Sequence, residues 1–344
     1  MQALLRAASA AFGCFILVMC CVMRSDAQTP PEEFRPLRPE VEQFIGYMVR
    51  THGFDSHELH ELFAKLKPNQ NVLRAMGAPS TGKPWYEFKP LFVDTGRIVN
   101  GVKFWNDNAE LLARARNEFG VPEQIIVSLI GIETRYGKQV GGIRVLDSLA
   151  TLAFDWPARA GFFRGELEQF LLLAREQRWD PTQVRGSFAG AMGLPQFMPG
   201  SYRRYAVDYD GDGHVDLWAN TADIIGSVAG YLRAVGWKDG ARVVAPARIS
   251  TDDWRSLLDL GLKPSFTLDQ WRMRGVEPFT PLPTDLSASV FSLDLIGGPE
   301  FWFGFDNFYA LLQYNRSRNY VMAVYQLSIE IMRERDRAAS TSTH

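Results

Sequence analysis

One carboxylate ends an otherwise uncharged run, IIVSLIGIE, at residues 125–133. In a helix, Glu133 lies on the same side as Ile126, Leu129 and Ile130, so the pattern predicts that it points inward. Burial disfavours the charged form of a carboxyl and raises its pKa, which is what a general acid needs at neutral pH. The alternative is a structural ion pair between Glu133 and Arg135 or another arginine.

A second stretch, GSFAGAMGLPQFMPGSYRRYA at residues 186–206, combines glycines with polar and flat apolar side chains. Its glycines, at positions 186, 190, 193 and 200, allow a backbone to approach a ligand closely. Ser187 and Gln196 supply hydrogen-bonding groups among apolar neighbours. This composition suits a sugar chain, and the alternative is a loop with helix-breaking glycines.

A third stretch, DYDGDGHVDLWANTADI, follows the spacing of a calcium loop. The matching positions are Asp208 (1), Asp210 (3), Asp212 (5), Gly213 (6), His214 through its carbonyl (7) and Asp216 (9). Position 12, where a bidentate glutamate belongs, is Ala219, so the loop departs from the standard pattern. The spacing predicts a structural calcium ion, and the alternative is a solvated Asp/Gly turn.

Helices must position these groups. Residues 121–123, Val-Pro-Glu, are typical of a helix start, and Gly137, Gly141 and Gly142 are plausible stops for the helix that carries Glu133. Residues 83–103 are predicted to be irregular, and alternation at period two predicts strands in 241–249, 265–275 and 287–296. The expected fold is mainly α (α+β).

The predicted organisation follows the changes in composition along the chain. It comprises a signal peptide (1–27), a linker (28–40), an N-terminal helical region (41–120), a core (121–240), a small β-rich insertion (241–300), C-terminal helices that complete the core (301–336) and a disordered tail (337–344).

The first 27 residues resemble an export signal, with Arg6 before an apolar run. We therefore expect an exported protein. A retained membrane anchor or a lipid-modified Cys20 are the alternatives. Cys14, Cys20 and Cys21 all lie in this segment, so the fold is expected to depend on its core rather than on disulfides.

The composition describes a globular protein with a weakly charged partner. The 344 residues are 46% hydrophobic, and the net charge is −2 with both signs interspersed. Such a balance gives no electrostatic case for binding nucleic acid or an anionic membrane surface. A polysaccharide fits better.

Four motifs in this order resemble the lytic murein transglycosylase B family, whose members have a lysozyme-like core and cleave the glycan strands of peptidoglycan. They are GIETRYG (131–137), GSFAGAMGLPQFMPGSY (186–202), DYDGDGHVDLW (208–218) and YNRSRNY (314–320). The resemblance covers residues from about 44 to about 327. For an exported protein of this family it implies a periplasmic location.

The resemblance implies a role for residues at matching positions only. Glu133 matches the family's single catalytic acid, and Asp223 matches its last acidic metal ligand. Groups that line the sugar site are matched by Ser187, Gln196, Tyr231, Tyr314, Asn315 and Tyr320. For each tyrosine, ordinary half-buried packing is the alternative.

Two positions depart from the family pattern. After Pro157 the family often has two arginines near the site for the peptide stems, but here Ala158 precedes Arg159. Only Arg159 remains, so peptide contacts are in doubt. A position that resembles a subsite tyrosine is Phe88, which would keep stacking on a sugar and lose the hydroxyl contact.

Ordinary glycosidases use two carboxylates, and the candidate partners of Glu133, Asp147 and Asp155, lie in no convincing polar motif. The resemblance therefore implies substrate-assisted cleavage of the β-1,4 bond between N-acetylmuramic acid and N-acetylglucosamine, with formation of 1,6-anhydromuramic acid. A lysozyme-like hydrolase and a non-catalytic murein-binding protein are the alternatives. We expect no catalytic cofactor, a monomer, and contacts with cell-wall synthesis or remodelling proteins.

Overall fold

The computed structural model describes residues 37–77 and 82–341. The predicted signal peptide, most of the predicted linker and the last three residues lie outside that range. Within it, no helix combines the length and the apolar character needed to span a bilayer.

The described chain is mainly helical. Its helices are α1 (Pro39–His52), α2 (Ser56–Ala64), α3 (Gln70–Gly77), α4 (Trp85–Phe92), α5 (Thr95–Asp107), α6 (Ala109–Phe119), α7 (Glu123–Thr134), α8 (Val145–Asp155), α9 (Ala160–Glu176), α10 (Pro199–Tyr205), α11 (Thr221–Ala234), α12 (Trp254–Leu258), α13 (Leu268–Arg272), α14 (Asp306–Tyr314) and α15 (Arg318–Thr341). Its strands are β1 (Ile143–Arg144), β2 (Arg185–Gly186), β3 (Val244–Ile249), β4 (Phe266–Thr267), β5 (Val276–Pro278), β6 (Ser287–Leu295) and β7 (Gly298–Gly304).

Helix α7 is the centre of the fold. It begins after Pro122, as predicted, and every residue of 125–132 is buried. A helix that is apolar on all sides must be surrounded, and α7 packs against α5, α6, α11 and α15. Its end differs from the prediction, because it stops at Thr134 and the left-handed backbone begins at Arg135 (φ 50°) and Tyr136 (φ 58°) rather than at a glycine.

The prediction that residues 83–103 are irregular was wrong, since α4 and α5 fill most of that stretch. Pro84 precedes the first turn of α4, where its missing N–H costs nothing. The Asp94 side chain accepts a hydrogen bond from the Arg97 N–H at 3.0 Å and caps α5. Both helix starts could therefore be predicted from neighbouring residues. The start at Pro84 was missed because the aromatic residues after it were interpreted as an irregular segment.

The predicted β-rich insertion is a five-stranded antiparallel sheet of order β4-β6-β7-β3-β5. It extends beyond the predicted boundary at 300, because β7 continues to Gly304. The strand predicted over 265–275 is mostly wrong. Thr267 and Gln270 form a capping box, and the chain turns into α13 after two strand residues.

The C-terminal helices return to the core as predicted. Val321, Val324, Leu327 and Ile331 of α15 are fully buried. The prediction of a disordered tail from residue 337 was wrong for 337–341, since α15 continues to Thr341. Pairs at i,i+3 spacing, Glu330 with Arg333 and Glu334 with Arg337, and the two alanines that follow support the extension.

Candidate active site

Glu133 lies in the last turn of α7 and is the only half-exposed residue of 125–134. Burial raises the pKa of its carboxyl from 4.5 to about 7, although the Tyr320 hydroxyl, which donates a hydrogen bond to Oε1, opposes that rise. Glu133 forms no ion pair within the described chain. Arg135 lies instead 3.6 Å from the carboxylate of Asp94. The arrangement therefore supports a carboxyl that is still partly protonated at neutral pH rather than a structural ion pair.

Two of the predicted tyrosines stand beside this carboxyl. Tyr320, in the first turn of α15, is 4% exposed and bonds it directly. Tyr314, the last residue of α14, is close enough for the Glu133 charge to raise its pKa, after burial, and its hydroxyl donates to the Pro195 carbonyl at 2.5 Å. Tyr314 therefore ties the active site to the glycine-rich loop.

Tyr231 and Asn315 lie one step further out. The Tyr231 hydroxyl donates to the carbonyl of Gln313 at 2.6 Å, and its ring packs 4.9 Å from that of Tyr314. Tyr231 is thus a packing support for Tyr314, in line with the alternative considered for it. Asn315 follows α14 and is half-buried, and its side-chain amide forms no hydrogen bond to the described residues. That amide can serve a substrate.

Ser187 opens the glycine-rich loop. Its Oγ accepts hydrogen bonds from the N–H groups of Ala191 (3.0 Å) and Ala189 (3.3 Å), which leaves the hydroxyl proton for donation. Gln196 has left-handed backbone (φ 52°), and its Nε2 donates to the carbonyls of Gly193 and Val140 at 2.8 and 3.2 Å. The amide oxygen of Gln196 remains as an acceptor.

The glycines of this loop serve internal packing, not the exposure of backbone to a ligand that the sequence suggested. A side chain at Gly186 would collide with the Ala191 carbonyl, and one at Gly193 would come within 2.5 Å of the Leu217 carbonyl. The loop is folded tightly onto itself and against the segment after Glu133, where Gly141 abuts the backbone of Gly186. It is therefore a rigid wall of the site.

Two predicted contacts are not supported. Phe88 is 1% exposed and stacks on Phe92 at 4.6 Å, so its ring cannot stack on a sugar. In helix α4 the aromatic residues Trp85 and Phe88 lie on the same side, and that side faces the core. Arg159 lies over the rings of Phe162 and Phe163, at 4.3 and 5.3 Å, and its described contacts include none of the residues around Glu133.

The acidic loop gathers three of its predicted ligands. One carboxylate oxygen from each of Asp208, Asp210 and Asp212 lies within 4.8 Å of the others. Asp223 differs from the other three acids, because it is fully buried and accepts the N–H groups of Tyr209 (2.7 Å) and Asp216 (2.8 Å).

Asp223 is nevertheless close to this group of acids, since the charges of Asp210 and Asp208 contribute, after burial, to raising its pKa. His214 is exposed, and its N–H donates to Asp212. Clustered hard oxygen donors with left-handed glycines at 211 and 213 (φ 79° and 89°) fit a calcium ion.

The contacts that fix the end of α7 to α5 and to the glycine-rich loop were not predicted from the sequence. The Arg97 guanidinium, 5% exposed, donates to the Gly131 carbonyl at 3.0 Å, and Thr134 donates to the Leu194 carbonyl at 3.1 Å. An available signal was the Asp94/Arg97 pair at i,i+3 spacing, which resembles an ordinary surface pair until the helix places it against α7.

Replacing Glu133 with glutamine is expected to stabilise the protein at alkaline pH. The carboxyl has a pKa of 4.5 in the unfolded chain and about 7 in the folded one. Below pH 4.5 it is largely neutral in both states. Between pH 4.5 and about 7 the carboxyl ionises in the unfolded chain but stays protonated in the folded one, so the folded state loses stability over that range, and the loss levels off above pH 7. At pH 8 this costs the wild type about 3 kcal/mol, which glutamine avoids. The free energies of unfolding of the wild type and the variant, measured in urea at pH 4 and pH 8, test this expectation. An equal difference between the two proteins at both pH values would contradict it.

Comparisons with known proteins identify the family. Residues 36–329 match the family described as the transglycosylase SLT domain. The chain is 44% identical over 299 residues to the membrane-bound lytic murein transglycosylase B of Escherichia coli K12, covering 84% of this chain and 81% of that protein.

Solved structures give the same result. The soluble lytic transglycosylase SltB1 of Pseudomonas aeruginosa superposes with a TM-score of 0.80 at 47% identity, covering 87% of this chain and 100% of that one. The E. coli lytic transglycosylase Slt35 in complex with calcium gives 0.76 at 43% identity, covering 86% and 94%. The mainly helical, lysozyme-like fold predicted from sequence is confirmed, and the chain belongs to the SLT-domain lytic transglycosylases.

Proposed function

We propose that this protein is a peptidoglycan lytic transglycosylase that cleaves the β-1,4 bond between N-acetylmuramic acid and N-acetylglucosamine and leaves 1,6-anhydromuramic acid ends. The observation that carries the proposal is one carboxyl, Glu133, with a pKa raised to about 7 by burial and with no cationic partner within the described chain. Such a group holds a proton for a leaving oxygen at neutral pH.

One carboxyl must serve both steps. Asp147 and Asp155, the candidate second acids, are engaged elsewhere, by Arg144 at 2.8 Å and by Arg38 at 2.7 Å. The second role then falls to the substrate. Glu133 protonates the glycosidic oxygen as its bond to C1 breaks, and the carbonyl of the 2-acetamido group attacks C1. The O6 hydroxyl then attacks C1, displaces the acetamido oxygen from it and returns its proton to Glu133, so no water is consumed.

The surroundings of Glu133 suit this sequence. Apolar residues of α7 exclude water, and Tyr320 orients the carboxyl through its hydrogen bond. Ser187 offers a hydroxyl proton, and Gln196 an amide oxygen, to the sugar rings. Fixed donors and acceptors lower the entropic cost of the ring closure.

Digestion of purified peptidoglycan tests the proposal. We expect muropeptides with anhydro ends, each one water lighter than the reducing product. Reducing ends would identify a lysozyme-like hydrolase instead. Binding without any release of fragments would identify a murein-binding protein.

The acidic loop is proposed to hold a structural calcium ion through Asp208, Asp210, Asp212, the His214 carbonyl and Asp223. When bound, the ion would neutralise clustered carboxylates and hold the loop. It would leave the chemistry to Glu133. Slt35, crystallised with calcium, supports this proposal.

Calcium is expected to raise the melting temperature of the wild type. An ion at one hundred times its dissociation constant stabilises the folded state by about 2.7 kcal/mol. Asp210→Asn and Asp212→Asn should abolish the rise, measured by scanning calorimetry with calcium or a chelator. Asp180→Asn is the matched control, because Asp180 accepts the Thr182 N–H in a similar turn outside the cluster. A rise that survives loss of the loop carboxylates contradicts the site.

We further propose that the protein acts in the periplasm, exported by residues 1–27, and works as a monomer. The E. coli relative is named as a membrane-bound lytic murein transglycosylase, which acts on murein by its name, and murein lies outside the cytoplasm. Fractionation of cells that produce the full chain tests the location, and recovery in the cytoplasm would contradict it.

A further inference from the structure

Three charged side chains, Asp94, Arg97 and Arg135, lie close together near the C-terminal end of α7 and are here called the Asp94 cluster. We propose that Asp94 is a positioning residue of the reaction, which holds both guanidinium groups on the α5 side of α7 and so keeps Glu133 without a cationic partner. The inference rests on the function proposed above and names a residue that controls its acid.

Asp94 is shared by the two arginines. Its Oδ2 accepts a hydrogen bond from Arg97 Nη1 at 2.6 Å and lies 3.6 Å from Arg135 Nη2. Its Oδ1 accepts the backbone N–H of Arg97 at 3.0 Å, which caps α5. One carboxylate therefore anchors a helix start and two cations at once.

Arg97 is fixed to the helix that carries the acid. Its Nε donates to the Gly131 carbonyl at 3.0 Å, two residues before Glu133, and its Nη1 donates to the Leu91 carbonyl at 2.8 Å. At 5% exposure the guanidinium requires a counter-charge, and Asp94 supplies it.

Arg135 is the most exposed member of the cluster. It follows Glu133 by two residues, and its side chain is 41% exposed. The left-handed turn at Arg135 and Tyr136 (φ 50° and 58°) is locked by the Tyr136 hydroxyl, which donates to the Arg97 carbonyl at 3.0 Å. The backbone is thus fixed, whereas the guanidinium is held by Asp94 at 3.6 Å. Released, so long and flexible a side chain can turn toward the carboxyl two residues away.

Among the described residues Glu133 forms no ion pair, and the side chains that the structure shows beside it are phenols. Tyr320 faces it from α15 and Tyr314 from α14, with Tyr231 of α11 against Tyr314. Lys138, on the turn that follows α7, donates to Asn100 of α5 at 3.2 Å. A cation released from the Asp94 cluster would therefore be the first to reach the acid.

The test is Asp94→Asn, because asparagine keeps the cap on α5 and removes only the charge. We expect the alkaline limb of the kcat/KM profile for anhydromuropeptide release to move down by about one pH unit, which lowers activity at pH 7 about fivefold. Adding Arg135→Gln to this variant should move the limb back. Asp55→Asn is the matched control, since Asp55 caps α2 in the same way, accepting the Glu58 N–H at 2.9 Å, and forms no ion pair with an arginine of the described residues.

Asp94→Asn leaves Arg97 buried without a counter-charge and can fail to fold. The variant Asp94→Asn with Arg97→Met removes that charge and still releases Arg135, so the same downward move is expected. An unmoved limb in a folded variant, with activity reduced equally at every pH, overturns the inference and leaves Asp94 a structural role. If the wild type releases no anhydro products, the proposed function fails first, and this inference fails with it.

Discussion

Glu133→Gln is expected to reduce the release of anhydromuropeptides from purified peptidoglycan by about 10³-fold, the range that a positioned general acid and base contributes. Glutamine keeps the size and the hydrogen-bonding oxygen that Tyr320 reaches, but it carries no transferable proton. Because the same group must return as the base for the O6 proton, both steps are lost. Binding of glycan strands by the variant, measured by sedimentation with intact sacculi, should be retained.

Glu166→Gln is the matched control. Glu166 is another largely buried acid whose pKa is raised by burial, but it accepts the Gly200 N–H at 2.8 Å and supports α10. Glu166→Gln should leave the rate of anhydromuropeptide release within about threefold of the wild type, because Glu166 takes no part in the reaction. Equal losses in the two variants would show that burial of any acid matters for folding, and would remove the special role of Glu133.

The fold was predictable where one local pattern dominates. The apolar run before Glu133 predicts α7 together with its start, since Pro122 and Glu123 before the run are favoured in a first helical turn. The insertion was recognisable because alternation at period two replaces the helical period after residue 240. The end of α7 was not predictable, because Arg135 and Tyr136 adopt left-handed backbone only when the Tyr136 ring is buried against Gly101 and Gly131. That contact joins residues far apart in the sequence.

The site divides in the same way. Glu133 and Tyr320 were assigned from their type and from the family resemblance, and the structure joins them by a hydrogen bond. Phe88 was assigned to the sugar site by the same resemblance, and that assignment is not supported, because Phe88 is buried. Its burial comes from the packing of α4 against α15 and β6, which the sequence does not reveal. The spacing of Asp94 and Arg97 did not distinguish them as site residues, since an Asp and an Arg three residues apart are common on exposed helices. Long-range packing decides which polar residue becomes part of a site.

Tyr320→Phe is expected to move the alkaline limb of kcat/KM to higher pH and to lower the plateau about tenfold, the value of a hydrogen bond to a charged group. The Tyr320 hydroxyl lowers the pKa of Glu133 against the larger effect of burial, which places it at about 7. The protonated form is the active acid, so activity falls as pH rises through that value. Without the hydroxyl the pKa rises further, and the limb follows it upward, opposite to the shift expected for Asp94→Asn.

Tyr231→Phe separates this effect from the loss of any buried phenol. Tyr231 donates to the Gln313 carbonyl and not to Glu133, so its removal should leave the limb in place. A limb that moves equally in both variants, or that moves down in Tyr320→Phe, would mean that the hydrogen bond does not set the proton affinity of Glu133. The opposite shifts in the Tyr320 and Asp94 variants, measured on the same substrate, would place the control of this acid in two separate contacts. One is a donor that favours its charge, and the other is a carboxylate that keeps cations away.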